Sequence, residues 1–303
     1  MATATSQASS GRVAIREGAL TVELVPSLGG SIASARYHGR DVLRPLSAEA
    51  ERARDILGVA CFPMVPYANR IDHNQFEFEG RVHRFAPNVP PEPYNEHGSG
   101  WTSAWSVNER SANRAVLQLE RRNPAEPYSF RATQTFTVRN DRLDILTSVT
   151  NLGAMRMPFG FGQHPWFARD PDTTVRFEAT HFWLEGPGGS ATDRITLPPE
   201  LDFASARALP ARWRNNCYGG WRGVAELRFP SRRIAVKLTA DPVFRHLMLY
   251  ADPALPVFCL EPQTNASCAF NNLSGMAHQD LGVVVLDPGA HAEGSISLAM
   301  SGT

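Results

Sequence analysis

Short runs of alternating apolar and polar residues are the feature that most constrains the fold of this 303-residue chain. Each run is brief and bounded by Gly, Pro, Asn or Asp. This pattern is typical of antiparallel strands that pack one face against a core. The apolar sets are Leu20/Val22/Leu24, Leu117/Leu119, Leu143/Ile145/Thr147/Val149, Val175/Phe177, Ile234/Val236/Leu238 and Ile296/Leu298/Met300.

Helical signals are few and do not alternate with strands, which disfavours a parallel sheet. Residues 47–57 are predicted to form a helix, with Ser47 as N-cap and Gly58 as C-cap, and a second short turn is predicted at 201–209. Residues 140–141 predict a hairpin turn. No internal repeat indicates a propeller or solenoid. We therefore predict an all-β fold, a large antiparallel β-sandwich with few short helices.

The composition predicts one domain without a membrane segment. Hydrophobic residues make up 43% of the chain, enough for a large core, and no linker divides it. We predict a disordered tail at residues 1–11 and a single β-sandwich domain at 12–303. The tail is small and polar, unlike a signal peptide, and no apolar run approaches the ~20 residues that span a bilayer.

The net charge limits the kinds of binding partner, and the cysteines indicate the cellular compartment. Thirty basic residues balance thirty acidic ones, so nucleic acid and anionic membranes are poor candidates and a neutral ligand such as a sugar fits better. The four cysteines form no CxxC pair. We read them as reduced thiols and predict a cytoplasmic protein.

Four polar clusters interrupt the strand-like sequence, at residues 66–71, 95–98, 162–167 and 260–264. They contribute one guanidinium, two imidazoles and one carboxylate: Arg70, His97, His164 and Glu261. This set suits acid–base chemistry on a polyhydroxylated ligand. Because each cluster adjoins Pro or Gly, we expect each at a strand end or in a loop.

Each of these residues also has a purely structural interpretation. His97, beside Gly98, could be a loop histidine bonded to backbone, and His164 could be a core histidine among aromatic residues. Arg70 could be a surface arginine. Glu261 follows an apolar stretch, where a carboxylate is rarely buried unless paired or functional, and its alternative is an ion pair with Arg70. No HExxH, zinc-like cluster or phosphate-binding glycine motif is evident, so we expect neither a metal nor a cofactor.

Taken in order, the clusters resemble the aldose 1-epimerase (galactose mutarotase) family. The resemblance covers most of the chain and is carried by residues 24–30, 39–43, 69–71, 97–98, 162–167, 260–264 and 286–289. It implies a large β-sandwich and interconversion of sugar anomers without metal, nucleotide or covalent intermediate. The implied partner is a small sugar, and a homodimer is one option for the assembly.

The resemblance also implies roles for individual residues. Glu261 matches the base that takes the proton from the anomeric hydroxyl, and His164 matches the acid that protonates the ring oxygen. His97 matches the second histidine and completes the predicted catalytic set, and Arg70 matches the arginine; both contact the sugar. The substrate-binding set is completed by Asn69, Gln263, Trp166 and Asn215.

Asn215 departs from the family pattern, because family members usually carry an aspartate at this place. An asparagine can donate as well as accept a hydrogen bond, so the usual hexose preference is in doubt. Asn216 is the alternative contact if the alignment of this stretch is shifted. Other functions stay open: a non-catalytic carbohydrate-binding or sensor protein, an epimerase of a modified, acidic or phosphorylated sugar, or a polysaccharide lyase.

Overall fold

A computed structural model describes residues 11–186 and 191–302 of the chain. Of the predicted tail only Gly11 is among them; residues 1–10 lie outside the described part. The fold consists mainly of two large antiparallel sheets, as the alternation predicts. Among the described residues, no helix is long and apolar enough to cross a bilayer.

The larger sheet has eleven strands, and its central strands carry two of the polar clusters. Its order is β1-β2-β3-β5-β15-β24-β23-β20-β17-β18, with β4 paired to β3. The bounds are β1 Val13–Glu17, β2 Leu20–Val25, β3 Ser31–Tyr37, β4 Arg40–Asp41, β5 Cys61–Met64, β15 Gly162–Ala168, β17 His181–Glu185, β18 Ala191–Ile195, β20 Arg214–Gly219, β23 His246–Ala251 and β24 Val257–Gln263.

The second sheet has nine strands in the order β10-β11-β12-β13-β26-β22-β21-β16-β19. Its bounds are β10 Ser106–Arg110, β11 Arg114–Arg122, β12 Ser129–Arg139, β13 Arg142–Asn151, β16 Thr174–Phe177, β19 Arg207–Ala208, β21 Val224–Phe229, β22 Ile234–Ala240 and β26 His291–Gly302.

Three two-stranded ribbons and a few short helices complete the described structure. The ribbons pair β6 Arg70–Asp72 with β9 Tyr94–Glu96, β7 Gln75–Phe78 with β8 Arg81–Arg84, and β14 Met157–Phe159 with β25 Val284–Leu286. The helices are α1 Ala48–Ala53 and the 3₁₀ segments Ile56–Gly58, Pro199–Leu201, Pro230–Arg232 and Ala269–Asn272.

The inner faces of the two sheets form one continuous hydrophobic core, which contains all the apolar residues of the alternating sets. A polar contact joins the sheets inside it. The Gln163 side-chain amide on β15 donates to Gln134 Oε1 at 2.9 Å and to Thr147 Oγ1 at 3.1 Å. Burying amides is costly unless they are hydrogen-bonded, so these bonds fix how the sheets face each other. They also show that Gln163 points inward and its neighbour His164 outward.

Two local predictions need correction, and two others are confirmed. Helix α1 begins as predicted, since Ser47 accepts a hydrogen bond from the Ala50 N–H. It ends at Arg54, which adopts a left-handed φ of 55°, and not at Gly58. Asp55 then caps a separate 3₁₀ turn by accepting from the Leu57 N–H. The short polar side chain of aspartate can bond a nearby backbone N–H and so begin a new helical turn.

The predicted turn at 201–209 is also wrong in most of its length. Only the 3₁₀ segment Pro199–Leu201 is helical, whereas Arg207–Ala208 forms strand β19 against β16. Tertiary pairing here overrides local preference. The hairpin at 140–141 is confirmed between β12 and β13, with Asn140 at a left-handed φ of 53°.

Candidate active site

Two neighbouring rows of side chains cross the outer face of the larger sheet. Cross-strand partners in antiparallel sheets point to the same face, so the register alone assembles them. His164 and Glu261 lie on adjacent strands, between the aligned pairs Gly162–Gln263 and Trp166–Cys259. The first row holds Phe62, His164, Glu261 and Met248, and the second holds Trp166, Cys259, Tyr250 and Asn215.

These rows form much of an open cleft of about 140 Å³. Predicted site residues found in its lining are Asn69, Arg70, His97, His164, Trp166, Asn215 and Glu261. Five further lining residues were not among the predicted site residues: Leu57, Phe62, Glu96, Met248 and Tyr250. A larger cavity of about 220 Å³ lies beside Tyr67, Phe85 and Tyr128. That cavity contains neither member of the His164–Glu261 pair, so we take the cleft as the site.

Two loop residues with left-handed backbones build one part of the cleft. Asn69 has a φ of 61° and His97 a φ of 56°. The His97 N–H donates to the Asn69 carbonyl at 2.8 Å, and the Asn69 N–H donates to His97 Nδ1 at 3.2 Å. Burial, aided by Arg70, lowers the pKa of His97 to about 3, so the ring is neutral at physiological pH. With Nδ1 accepting, its proton lies on Nε2, and His97 offers a donor.

Arg70 and Glu96 face each other across the β6–β9 ribbon. Arg70 Nε donates to Glu96 Oε1 at 3.2 Å, and the guanidinium lies 4.4 Å from the centre of the Tyr94 ring. Burial raises the pKa of Glu96, and the charge of Arg70 opposes that rise. The pairing orients the guanidinium, which lines the cleft and can donate to a ligand.

His164 and Glu261 form the chemically important pair, with His164 Nε2 3.3 Å from Glu261 Oε1. The imidazole is stacked on Phe62, with ring centroids 4.3 Å apart. Burial raises the pKa of Glu261, assisted by Glu96, and burial lowers the pKa of His164, assisted by His97. Burial therefore favours a protonated carboxyl beside a neutral imidazole. The pair then holds one proton that either member can carry.

Of the remaining predicted residues, Trp166 and Asn215 lie in the cleft lining and Gln263 does not. Trp166 lines the cleft, and the Arg44 guanidinium lies 4.4 Å from its ring centroid. Asn215 lines the cleft, whereas Asn216 does not appear in the lining. Gln263 is fully buried outside the lining, and its amide lies 3.6 Å from Cys217 Sγ. The structure thus gives Gln263 no surface in the cleft.

Two clusters lie inside strands, contrary to the expectation of strand ends or loops. His164 is in the middle of β15, and Glu261 is within β24 and not at its end. The neighbouring prolines suggested interruptions. Instead Pro165 aligns with Cys61, and Pro262 with Leu247, so both central strands continue through a proline.

Glu185 is a further titratable group close to the site that the sequence analysis missed. It ends β17, the strand beside β20, which carries Asn215. Burial raises its pKa to about 7, and the charge of Arg70 opposes the rise. Its Oε1 is buried and has no hydrogen-bond partner among the described residues. No sequence pattern marked it, because its surroundings depend on strand order.

One group of side chains in the described structure has the composition of a metal site. Ligand atoms of His164, Cys259 and Glu261 lie within 4.8 Å of one another, and all three residues are buried. The spacing in the sequence did not reveal the group, because His164 comes from a different strand.

Comparisons with known proteins agree with the fold and identify the family. The aldose 1-epimerase family model matches residues 12–299. The Escherichia coli K12 protein YphB, itself uncharacterized, is 35% identical over 230 residues, 73% of this chain and 79% of that protein. A crystal structure of a provisionally assigned aldose 1-epimerase from Escherichia coli K12 has a TM-score of 0.89 at 30% identity, covering 97% of this chain and 99% of that one.

A galactose mutarotase-like protein from Clostridium acetobutylicum shares the fold at lower identity. Its TM-score is 0.83 at 18% identity, covering 96% of this chain and 95% of that one. The family match over nearly the whole chain carries the assignment. This chain belongs to the aldose 1-epimerase family.

Proposed function

We propose that this protein is an aldose 1-epimerase, an isomerase that interconverts the α and β anomers of a free aldose. The observation that carries the proposal is the His164–Glu261 pair, with His164 Nε2 3.3 Å from Glu261 Oε1 in an open cleft. Ring opening of a hemiacetal needs one proton removed from O1 and one delivered to the ring oxygen. A pair that exchanges one proton supplies both transfers with no net change.

The single proton of the pair can lie on His164 or on Glu261, and each of these two forms serves one step, ring opening or ring closure. With Glu261 at O1 and His164 at the ring oxygen, opening uses the carboxylate and the imidazolium. The carboxylate takes the O1 proton while the ring C1–O5 bond breaks and O5 takes the imidazolium proton. The aldehyde rotates about C1–C2, and the neutral imidazole with the protonated carboxyl then recloses the ring. Burial of the pair favours this second form.

The other cleft residues suit recognition of a neutral sugar. The Arg70 guanidinium and the His97 Nε2–H can donate to hydroxyls, and the Trp166 ring can stack on a sugar face. In the described lining Arg70 is the one permanently positive group, and the carboxyl groups of Glu96 and Glu261 accompany it. A phosphorylated or acidic sugar would need more cations, so the balance favours a neutral aldose.

Polarimetry of pure α-anomers, with and without protein, tests the proposal. Glu261→Gln should abolish catalysed mutarotation while sugar binding, measured by calorimetry, is largely retained, because the amide cannot accept the O1 proton. His164→Asn should lose at least ~100-fold. Glu120→Gln, at a glutamate on β11 outside the cleft, is the matched control and should keep the wild-type rate.

The same experiment separates the proposal from its main alternative. A non-catalytic binding or sensor protein would bind the sugar with no rate above the protein-free reaction. Near-wild-type rates in well-folded Glu261→Gln protein would remove Glu261 from the mechanism.

A further inference from the structure

The outer face of the larger sheet brings together an imidazole, a thiol and a carboxyl. Cys259 and Glu261 are two residues apart on β24, so both point to this face, and His164 lies on the adjacent strand β15. Ligand atoms of the three residues lie within 4.8 Å of one another. Imidazole nitrogen, thiolate sulfur and carboxylate oxygen are the ligands that zinc takes in proteins.

The separation of the first two ligand atoms already fits a tetrahedral metal. Zinc–nitrogen and zinc–oxygen bonds of about 2.0–2.1 Å place two tetrahedral ligands roughly 3.3–3.4 Å apart. His164 Nε2 and Glu261 Oε1 are 3.3 Å apart. Both residues line the open cleft, so a metal can enter from solvent and keep a water as its fourth ligand. Cys259 is not in the cleft lining, but its sulfur lies within 4.8 Å of a ligand atom of each of the other two residues and would complete the ligand set.

Charge balance makes this buried position acceptable for a divalent cation. A bound divalent cation would face one thiolate, one carboxylate and one neutral imidazole, so the net charge of the group would be zero. The site therefore avoids an uncompensated buried charge.

We propose that this cleft binds Zn²⁺, or another thiophilic divalent cation, through His164, Cys259 and Glu261, and that the bound metal switches off the acid–base pair. The metal would occupy the lone pairs of His164 and Glu261 that the proton exchange needs. This inhibitory consequence rests on the proposed function, whereas the binding does not. Hard cations such as Mg²⁺, which avoid thiolates, should have no effect.

Cadmium binding tests the site without reference to catalysis. One equivalent of Cd²⁺ should produce an ultraviolet thiolate-to-cadmium charge-transfer band in the purified full chain. The band should disappear in Cys259→Ala and in Cys259→Ser, the second variant keeping a polar X–H group in place of the thiol. Cys268→Ala removes another buried thiol outside the ligand group and should keep the band. A band that survives both Cys259 substitutions, or never forms in the wild type, overturns the site.

Zinc inhibition of the mutarotation rate, measured by polarimetry, tests whether the bound metal switches off the acid–base pair. Zn²⁺ should inhibit the wild type reversibly, with full recovery on chelation, and Mg²⁺ should not. Cys259→Ala should need at least ~10-fold more zinc for the same inhibition, in line with the loss of a metal ligand. Equal inhibition of both proteins would refute the switch. A cadmium band in a protein without mutarotase activity would refute the proposed function and leave the metal site standing.

Discussion

Replacing Glu185 with glutamine should make the stability of the protein less dependent on pH. Burial raises the pKa of this carboxyl to about 7 from an ordinary value of 4.5. The folded state therefore holds the proton more tightly than the unfolded state does. The contribution of this carboxyl to wild-type stability is greatest at low pH and is lost as the pH rises from about 4.5 towards 7, because folding then requires a buried charge. Glutamine has no proton to lose.

The pKa shift sets the size of the effect. A rise from 4.5 to about 7 corresponds to about 3 kcal/mol of unfolding free energy, of which about 2–3 kcal/mol falls between pH 5 and pH 8. The arrangement supports the sign, because Glu185 Oε1 is buried without a hydrogen-bond partner among the described residues. Glu185→Gln should thus gain stability relative to wild type on going from pH 5 to pH 8.

Urea denaturation of both proteins at the two pH values measures this difference. The titrations of all other groups largely cancel in the comparison, which isolates position 185. Glu77→Gln, at an exposed glutamate on β7, is the matched control and should show no such gain. A wild-type-to-variant difference in unfolding free energy that is the same at pH 5 and pH 8 would refute the reasoning.

Three further predictions concern the cleft. The pH–rate profile should be a broad plateau, because the form of the pair with one proton persists over a wide pH range. The acidic limb reports His164, whose pKa is lowered from its ordinary value of 6.5, and the alkaline limb reports Glu261, whose pKa is raised from its ordinary value of 4.5. A narrow optimum between 4.5 and 6.5 would contradict these shifts. Chelation should leave the polarimetric rate unchanged or raise it; a loss restored by zinc would show metal dependence. Asn215→Asp should raise kcat/KM for galactose or glucose relative to a uronate, and an unchanged ratio would leave Asn215 without a role in specificity.

The alternation in the sequence was sufficient to predict the fold class, because the period of two is a local property of a strand. Leu143, Ile145, Thr147 and Val149, for example, share the buried face of β13. Local capping was harder to predict. Ser47 starts α1 as its side chain suggests. The end of α1 at the left-handed Arg54, and the capping of the next 3₁₀ turn by Asp55, could not be read from composition.

The candidate site was predictable only where a residue type was itself unusual. Glu261 attracted attention because a carboxylate follows an apolar stretch, and His164 because it lies among aromatic residues. Cys259 and Glu185 carried no such signal. Their importance comes from the strand order β15-β24-β23-β20-β17, which brings distant segments together. Alternation contains no information about which strands become neighbours.

The paired bonds between Asn69 and His97 have a consequence for protein engineering. Each residue supplies a backbone N–H to the other, and both backbones are left-handed. A grafted loop without histidine at position 97 would leave the Asn69 N–H without its imidazole acceptor. A grafted loop whose residue 69 is not left-handed would move the carbonyl away from the His97 N–H. The two loops therefore behave as one module, and a chimaera that aims to change sugar preference must exchange both together.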